Sequence, residues 1–275
     1  MLAVAVDARL EVIGEQRRPT PADPDALIEA IVDAVNGLGV AVGSLGIGVA
    51  GLVTPEGVVR ASPHLTRPAE LDLVGRLGSR FGVAVRVEND ANVATWGEAQ
   101  LGAGRGVRDL VMVTLGTGIG GGIVCNGELV RGVHGFAGEP GHMTIAFDGP
   151  AHVTGLRGSW EMYASGTALR HAGDGLLDVE RLATTAGREQ LDAFARVVAV
   201  GVGNLIAILD PEVVVLGGGV VSIGEPLRAA VVSHLDQWVF GAKERTSLRV
   251  VLAQLGERAG AVGAALLGAG PVNAA

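Results

Sequence analysis

Short apolar runs, each stopped by a glycine, a carboxylate or an amide, most limit the folds open to this sequence. Leu2–Val6 ends at Asp7. Leu45–Val49 runs into Ala50-Gly51, and Val83–Val87 delivers Glu88-Asn89-Asp90-Ala91-Asn92. Leu110–Leu115 runs into Gly116, and Val213–Leu216 into Gly217-Gly218-Gly219. Runs of this length, bounded by turn residues, read as strands buried on both faces. Stretches of helical spacing lie between them. Asp23-Pro24 is a helix start, a capping carboxylate followed by proline at the first helical position. Leu27, Ile28, Ile31 and Val35 keep helical spacing, and Gly37 can end that helix. Leu71–Phe81 and Val93–Leu101 read as further helices. Leu191, Phe194, Ala195, Val198, Val202, Leu205 and Leu209 mark one face of a long one, stopped at Asp210-Pro211. Glu11–Arg17 pairs as a strand with Leu2–Val6 across Asp7–Leu10, and Asn126-Gly127 is the turn of a second hairpin. Strands alternating with helices in both halves define an α/β protein.

With 275 residues, of which 48% are hydrophobic and 18% charged, the chain can bury a core across two modest domains. The glycine-rich stretch Gly102–Gly106 divides it into an N-terminal α/β domain, 1–106, and a C-terminal one, 107–275. The last helix, from about Arg258, is free to pack back on the first domain. A net charge of −8 disfavours nucleic acid as a partner, because phosphate backbones need a basic footprint. A single cysteine, Cys125, rules out a disulfide framework. No basic segment precedes Leu2–Val6, and no apolar run approaches the roughly 20 residues of a membrane span. A cytoplasmic protein with no membrane partner is expected.

Two glycine loops and a few polar clusters could carry chemistry. Gly116-Thr117-Gly118-Ile119-Gly120-Gly121-Gly122 satisfies GxGxxG, but a dinucleotide loop must open a helix, and here a strand and a hairpin turn come next. A glycine loop between strands still offers backbone N–H groups to a phosphate; otherwise it is a tight turn with no ligand. Gly217-Gly218-Gly219 is a second loop of this sort. Asp90 stands at the carboxyl end of a strand, where α/β proteins place ligands, and could take a proton from a substrate hydroxyl. The competing role for Asp90 or Asn92 is to cap the helix starting near Val93. Glu139-Pro140-Gly141-His142 and Trp160-Glu161 add polar groups in a glycine-rich region.

Taken together, the motifs Asn89-Asp90-Ala91-Asn92, Leu115–Gly122, Gly138–His142, Gly158–Gly166 and Val214–Gly219 resemble, in order and over almost the whole chain, the ROK family (repressor, open-reading-frame and kinase proteins). The nearest likeness is to bacterial glucokinases. The resemblance implies an actin-like (ribonuclease H-like) two-domain sugar kinase fold with sugar and Mg-ATP meeting in a cleft. It implies ATP-dependent phosphorylation of a hexose, glucose to glucose 6-phosphate, with ATP and Mg2+ as cofactors and a homodimer or tetramer as the assembly. Carried over by motif, Asp90 is the general base. Asn89, Glu139, His142 and Glu161 bind sugar hydroxyls with Gly51 close by. Gly116, Thr117 and Gly118 hold ATP phosphates, and Gly217 and Gly218 lie near the adenosine. The alternatives are a sugar-binding pseudokinase or sensor without catalysis, N-acetylmannosamine or fructose as the sugar, and polyphosphate as the donor.

The sequence departs from the family pattern in three places. The family opens with a D-x-G-G-T-K phosphate loop joining its first two strands, whereas here Leu2–Asp7 matches the segment after that loop. In the actin-like fold the first strand lies inside the sheet, so Leu2–Val6 and Leu45–Val49 would face a gap. Each buried unpaired backbone group costs roughly 1–3 kcal/mol. The expectation is a natural chain starting on the order of 10–20 residues upstream, with a strand and a glycine-rich phosphate loop. The family's C-x-C-G-x-x-G-C zinc segment matches His152–Ser159, where the cysteine positions hold His152, Thr154 and Ser159. No structural zinc is therefore expected, and packing and hydrogen bonds around Trp160 must hold the segment. Finally, His64 in Ser62-Pro63-His64-Leu65 stands where the family has a sugar-contacting Asn, which leaves the hexose open.

Overall fold

A computed structural model of the chain describes residues 1–68, 71–172 and 184–270. The chain divides into two compact units. One comprises Met1–Gly102, Leu129–Ala137 and Glu257–Ala275; the other comprises Ala103–Glu128 and Gly138–Gly256.

In the first unit, β1 (Leu2–Val6) and β2 (Val12–Arg17) form an antiparallel pair. Asp7 Oδ1 ties the turn between them by accepting the N–H groups of Arg9 and Glu11, both at 2.9 Å. Helix α1 (Pro24–Asn36) starts as its sequence dictates: Asp23 accepts the N–H groups of Asp25 and Ala26, and Pro24 needs no donor. It buries Leu27, Ile28, Val32 and Val35. β3 (Ser44–Val49) is followed by the short antiparallel pair β4 (Leu52–Val53) and β5 (Val59–Ala61), then by α2 (Leu73–Phe81). β6 (Ala84–Asn89) lies parallel to β3 and passes without a loop into α3 (Asp90–Leu101). This helix begins three residues earlier than the spacing of Val93–Leu101 suggests, and its cap is Asn89, not Asp90 or Asn92. β1 and β3, the strands expected to face a gap, are not paired with each other. Both line an apolar groove of about 820 Å³, together with residues of α1.

The second unit is built on a five-stranded sheet. β7 (Leu110–Leu115) and β8 (Ile119–Cys125) are antiparallel, and β9 (Glu128–Leu129) comes after a turn at Asn126-Gly127. Both turn residues have positive φ, 54° and 82°, as a two-residue hairpin of matching twist requires. After α4 (Glu161–Ala164) and α5 (Gly166–His171) comes the long α6 (Thr185–Leu209), then β10 (Val213–Gly217), α7 (Glu225–Leu235) and β11 (Arg249–Leu252). The sheet order is β11-β10-β7-β8-β9, with β11, β10 and β7 parallel. Every residue of β10 is buried, which its unbroken Val-Val-Val-Leu run anticipates. α6 lays Leu191, Phe194, Ala195, Val198, Val202 and Leu205 into the core, and Asp210 ends it in the left-handed conformation. By length and composition alone α6 could cross a membrane, although Asp192 and Arg196 interrupt its apolar run. However, 56% of its most apolar window is buried in the core.

The chain returns to the first unit as α8 (Ala259–Ala269). This helix packs main chain against main chain. A Cβ on Gly263 would lie 1.7 Å from the Val93 carbonyl oxygen of α3, and one on Gly46 of β3 would lie 1.7 Å from the Ala264 carbonyl oxygen. The small-residue sequence of α8 therefore fixes where β3 and the first turn of α3 sit.

Candidate active site

The chemistry of the first unit gathers where β6 becomes α3. Asn89 has extended backbone, and its Oδ1 accepts the N–H groups of Ala91 (2.8 Å) and Asn92 (3.0 Å). Its Nδ2 donates to the Gly51 carbonyl at 3.0 Å. Gly51 has φ 140°, and a Cβ there would meet the Ala61 carbonyl oxygen at 2.0 Å, so only glycine fits. Asn89 has thus used its acceptor lone pairs and one of two amide protons; it can offer a ligand a single N–H. Because Asn89 does the capping, Asp90 is relieved of it and becomes the first residue of the helix. Its Oδ1 accepts the Ala91 N–H at 3.0 Å, and the side chain remains open to solvent.

Although Asp90 is reached by solvent, protein crowds it, and this partial desolvation raises its carboxyl above the ordinary Asp value. The Ala91 N–H, its own N–H and the nearby His64 oppose the rise. A carboxylate made more basic, at a helix start and accessible, suits proton abstraction.

A buried network, which the motif reading did not single out, supports this corner. Glu88 Oε1 accepts the Asn89 N–H and Asn92 Nδ2, both at 3.0 Å, and Oε2 accepts Arg131 Nε at 2.5 Å. The Glu88 side chain is 9% exposed, so its charge depends on Arg131. The Glu88-Asn89-Asp90 tripeptide carried the only signal in the sequence; Arg131 lies 43 residues away.

In the second unit the glycine loop is shorter than Gly116–Gly122, because β8 already starts at Ile119. What remains is Gly116-Thr117-Gly118, closed by the Gly116 N–H on the Gly118 carbonyl (2.9 Å). The strand after it excludes a dinucleotide loop, as the sequence context indicated. Gly218, at φ 83°, abuts the main chain of Leu115, where a Cβ would come within 2.5 Å of its carbonyl oxygen. Gly217 is the last residue of β10, not part of the loop. The main chain thus brings Gly116–Gly118 and Gly218 together.

Glu161 reaches the same loop. Its Oε2 accepts the Ile119 N–H at 2.7 Å, and a Cβ on Gly118 would collide with that oxygen. Trp160 holds Glu161 in place. The indole is fully buried, donates Nε1–H to the Val197 carbonyl at 2.9 Å, and fills the space over Gly201 of α6. Glu139 precedes a 3-10 turn, Pro140–His142, which packs on the start of β8 with Gly141 against the Ile119 carbonyl. His142 Nδ1 is buried without a partner among the described residues, and its ring lies 5.8 Å from that of His152. His152 Nε2 lies 3.0 Å from Glu161 Oε1. Among the described residues no group of three or more His, Cys, Asp or Glu is placed to hold a metal ion.

The fold is the actin-like one of ROK sugar kinases. Over residues 1–270 the chain matches the ROK family, and it belongs to that family. It is 35% identical over 299 residues to a glucokinase of Streptomyces coelicolor, covering 98% of this chain and 94% of the relative. Among solved structures, a ROK family glucokinase from Streptomyces griseus in complex with glucose and AMPPNP superposes with a TM-score of 0.85 at 33% identity, over 98% of this chain and 95% of that one. The xylose repressor of Bacillus subtilis is 29% identical over 228 residues, 80% of this chain and 59% of the repressor. The two glucokinases support hexose kinase activity; the repressor marks the family's other branch.

Proposed function

We propose that the chain transfers the terminal phosphoryl group of Mg-ATP to the primary hydroxyl of glucose, giving glucose 6-phosphate. The reading rests most on Asp90. It is an accessible carboxylate of raised basicity, set at the first turn of α3 by a neighbour that does the capping in its place. In this role Asp90 accepts the hydroxyl proton as the sugar oxygen forms its bond to phosphorus, and the bond from phosphorus to the leaving ADP oxygen breaks. Asn89 donates its remaining N–H to the sugar. Glu139, His142 and Glu161 bind further hydroxyls, for which fixed acceptors and donors are the right chemistry. With the Gly116 N–H spent on closing the loop, the N–H groups of Thr117 and Gly118 are the ones suited to phosphate oxygens, with Gly116 shaping the turn, and Gly217 and Gly218 lie toward the nucleotide. The glucose and AMPPNP held by the Streptomyces griseus relative support both ligands.

The assay is ADP release coupled to glucose addition on purified protein, with N-acetylmannosamine, fructose and polyphosphate as substitute substrates. Glucose-dependent turnover is expected. Glucose binding without turnover would instead favour a sensor, the reading to which the xylose repressor likeness points. Preference for another sugar would correct the substrate alone.

A further inference from the structure

His152 stands at the tip of a tight loop yet turns inward. Its neighbour Val153 is 96% exposed, whereas the His152 side chain is 12% exposed. The loop is closed by the His152 N–H on the Leu156 carbonyl (2.7 Å) and by the Gly155 N–H on the His152 carbonyl (2.9 Å). Both ring nitrogens are engaged. Nδ1 lies 2.7 Å from Thr154 Oγ1, and Nε2 lies 3.0 Å from Glu161 Oε1. If Thr154 donates its hydroxyl proton to Nδ1, the neutral ring carries its own proton on Nε2 and presents it to Glu161. The other Glu161 oxygen accepts the Ile119 N–H. The carboxylate is therefore held at both oxygens, one by main chain and one by His152. A carboxylate has about four acceptor sites. Two are used by the protein, which leaves two that hydroxyls of a bound polyol could use.

We propose that His152 is a positioning residue for sugar recognition: it fixes the Glu161 carboxylate in the orientation that accepts two hydroxyls of the hexose, without itself touching the reacting atoms. This rests on the reading of Glu161 as a sugar ligand. Nothing else among the described contacts holds Glu161 Oε1. Without His152 the carboxylate keeps its tie to Ile119 but can rotate about it, losing affinity for the polyol in ground and transition states alike. Such a loss raises KM and leaves kcat unchanged.

The test is calorimetric glucose binding, with steady-state kinetics beside it, on the wild type, His152→Ala, His152→Gln, Glu161→Gln and the double variant His152→Ala/Glu161→Gln. His152→Ala is expected to weaken glucose binding about 10-fold, the usual scale for losing a hydrogen bond to a charged group. KM for glucose should rise to match, with kcat and KM for ATP within about twofold of wild type. His152→Gln, which can still donate an N–H to Glu161, should recover most of the loss. In the Glu161→Gln background, removing His152 should cost little more, because the two act as one unit. If Glu161→Gln weakens glucose binding but His152→Ala does not, the positioning role is overturned while the sugar reading stands. If neither variant changes glucose binding, the assignment of Glu161 to the sugar falls, and this inference with it. A fall in kcat with KM unchanged, unrescued by glutamine, would make His152 a merely structural part of the loop.

Discussion

Replacing Gly263 by alanine is the sharpest test of how α8 positions Asp90, the proposed base. A glycine-to-alanine change inside a helix ordinarily stabilises it by about 1 kcal/mol, because alanine loses less backbone entropy on folding. Here the new Cβ would sit 1.7 Å from the Val93 carbonyl oxygen, 2.7 Å from the Val93 carbonyl carbon and 2.7 Å from the Gly97 nitrogen. All three are main-chain atoms of α3, so no side chain can rotate away. To reach even 3.0 Å from the oxygen, the helices must part by more than about 1 Å, and overpacking of this kind costs about 1–3 kcal/mol. A contact of 1.7 Å puts the clash toward the upper end of that range, so it outweighs the propensity gain and leaves a net loss of up to about 2 kcal/mol, roughly 4–8 °C in Tm for a protein of this size. Val93 is one turn from Asp90, so the displacement reaches the base, and a misplacement of about 1 Å can cost on the order of 10²-fold in rate. The control is Gly78→Ala in α2, where the nearest atom to the added Cβ, the Val83 carbonyl oxygen, is 3.6 Å away. That variant should gain about 0.5–1 kcal/mol and keep full activity. Calorimetric Tm and glucose-dependent kcat on both proteins decide the matter. A Gly263→Ala protein as stable and active as Gly78→Ala would refute the argument that α8 and α3 meet main chain to main chain.

Four further outcomes are expected. Asp90→Asn should lower kcat by about 10²–10⁴-fold while glucose binding, read by calorimetry, survives; an unchanged kcat would remove Asp90 from the mechanism. The raised carboxyl of Asp90 implies that kcat/KM falls on acidification through a midpoint above the ordinary Asp value, since the base works only when ionised. His64→Gln, by removing a group that lowers the Asp90 pKa, should move that acid limb to still higher pH; a limb that stays put or moves down would show that His64 has no hold on Asp90. Arg131→Met leaves Glu88 charged and nearly buried. The cost should be about 2 kcal/mol by chemical denaturation, less than the roughly 3–5 of a fully buried pair because Arg131 is 37% exposed. Stability unchanged from wild type would show that Glu88 does not depend on Arg131.

Most of what frames the site is local in sequence, and those parts were legible. Asp23-Pro24 dictates a helix start, Asn126-Gly127 a two-residue turn, and Val213–Leu216 a strand buried on both faces, because each depends on residues adjacent in the chain. The glycine loop was legible as a turn between strands but overlong, since Gly120, Gly121 and Gly122 read equally well as loop or strand. Only the pairing with Thr114, Val113 and Met112 of β7 decides for strand. The start of α3 was misjudged for a related reason. Asn89, Asp90 and Asn92 are all competent caps, and choosing among them needs the Gly51 carbonyl, 38 residues away, which takes the Asn89 amide and fixes which side chain faces the helix end. Arg131 was not legible as part of the site at all, and His152 was legible only as a position where the family's zinc cysteines are replaced. An arginine after a hairpin and a histidine in a loop look like solvated surface until the fold sets them against Glu88 and Glu161. These two cases share a logic: in each, a carboxylate beside residues proposed to bind ligand is held by a cation or ring from a distant segment. Sequence motifs record the groups that face a ligand, because ligand chemistry limits their identity. The groups behind them need only a donor at the right point in space, which many residues can supply, and so they leave no motif.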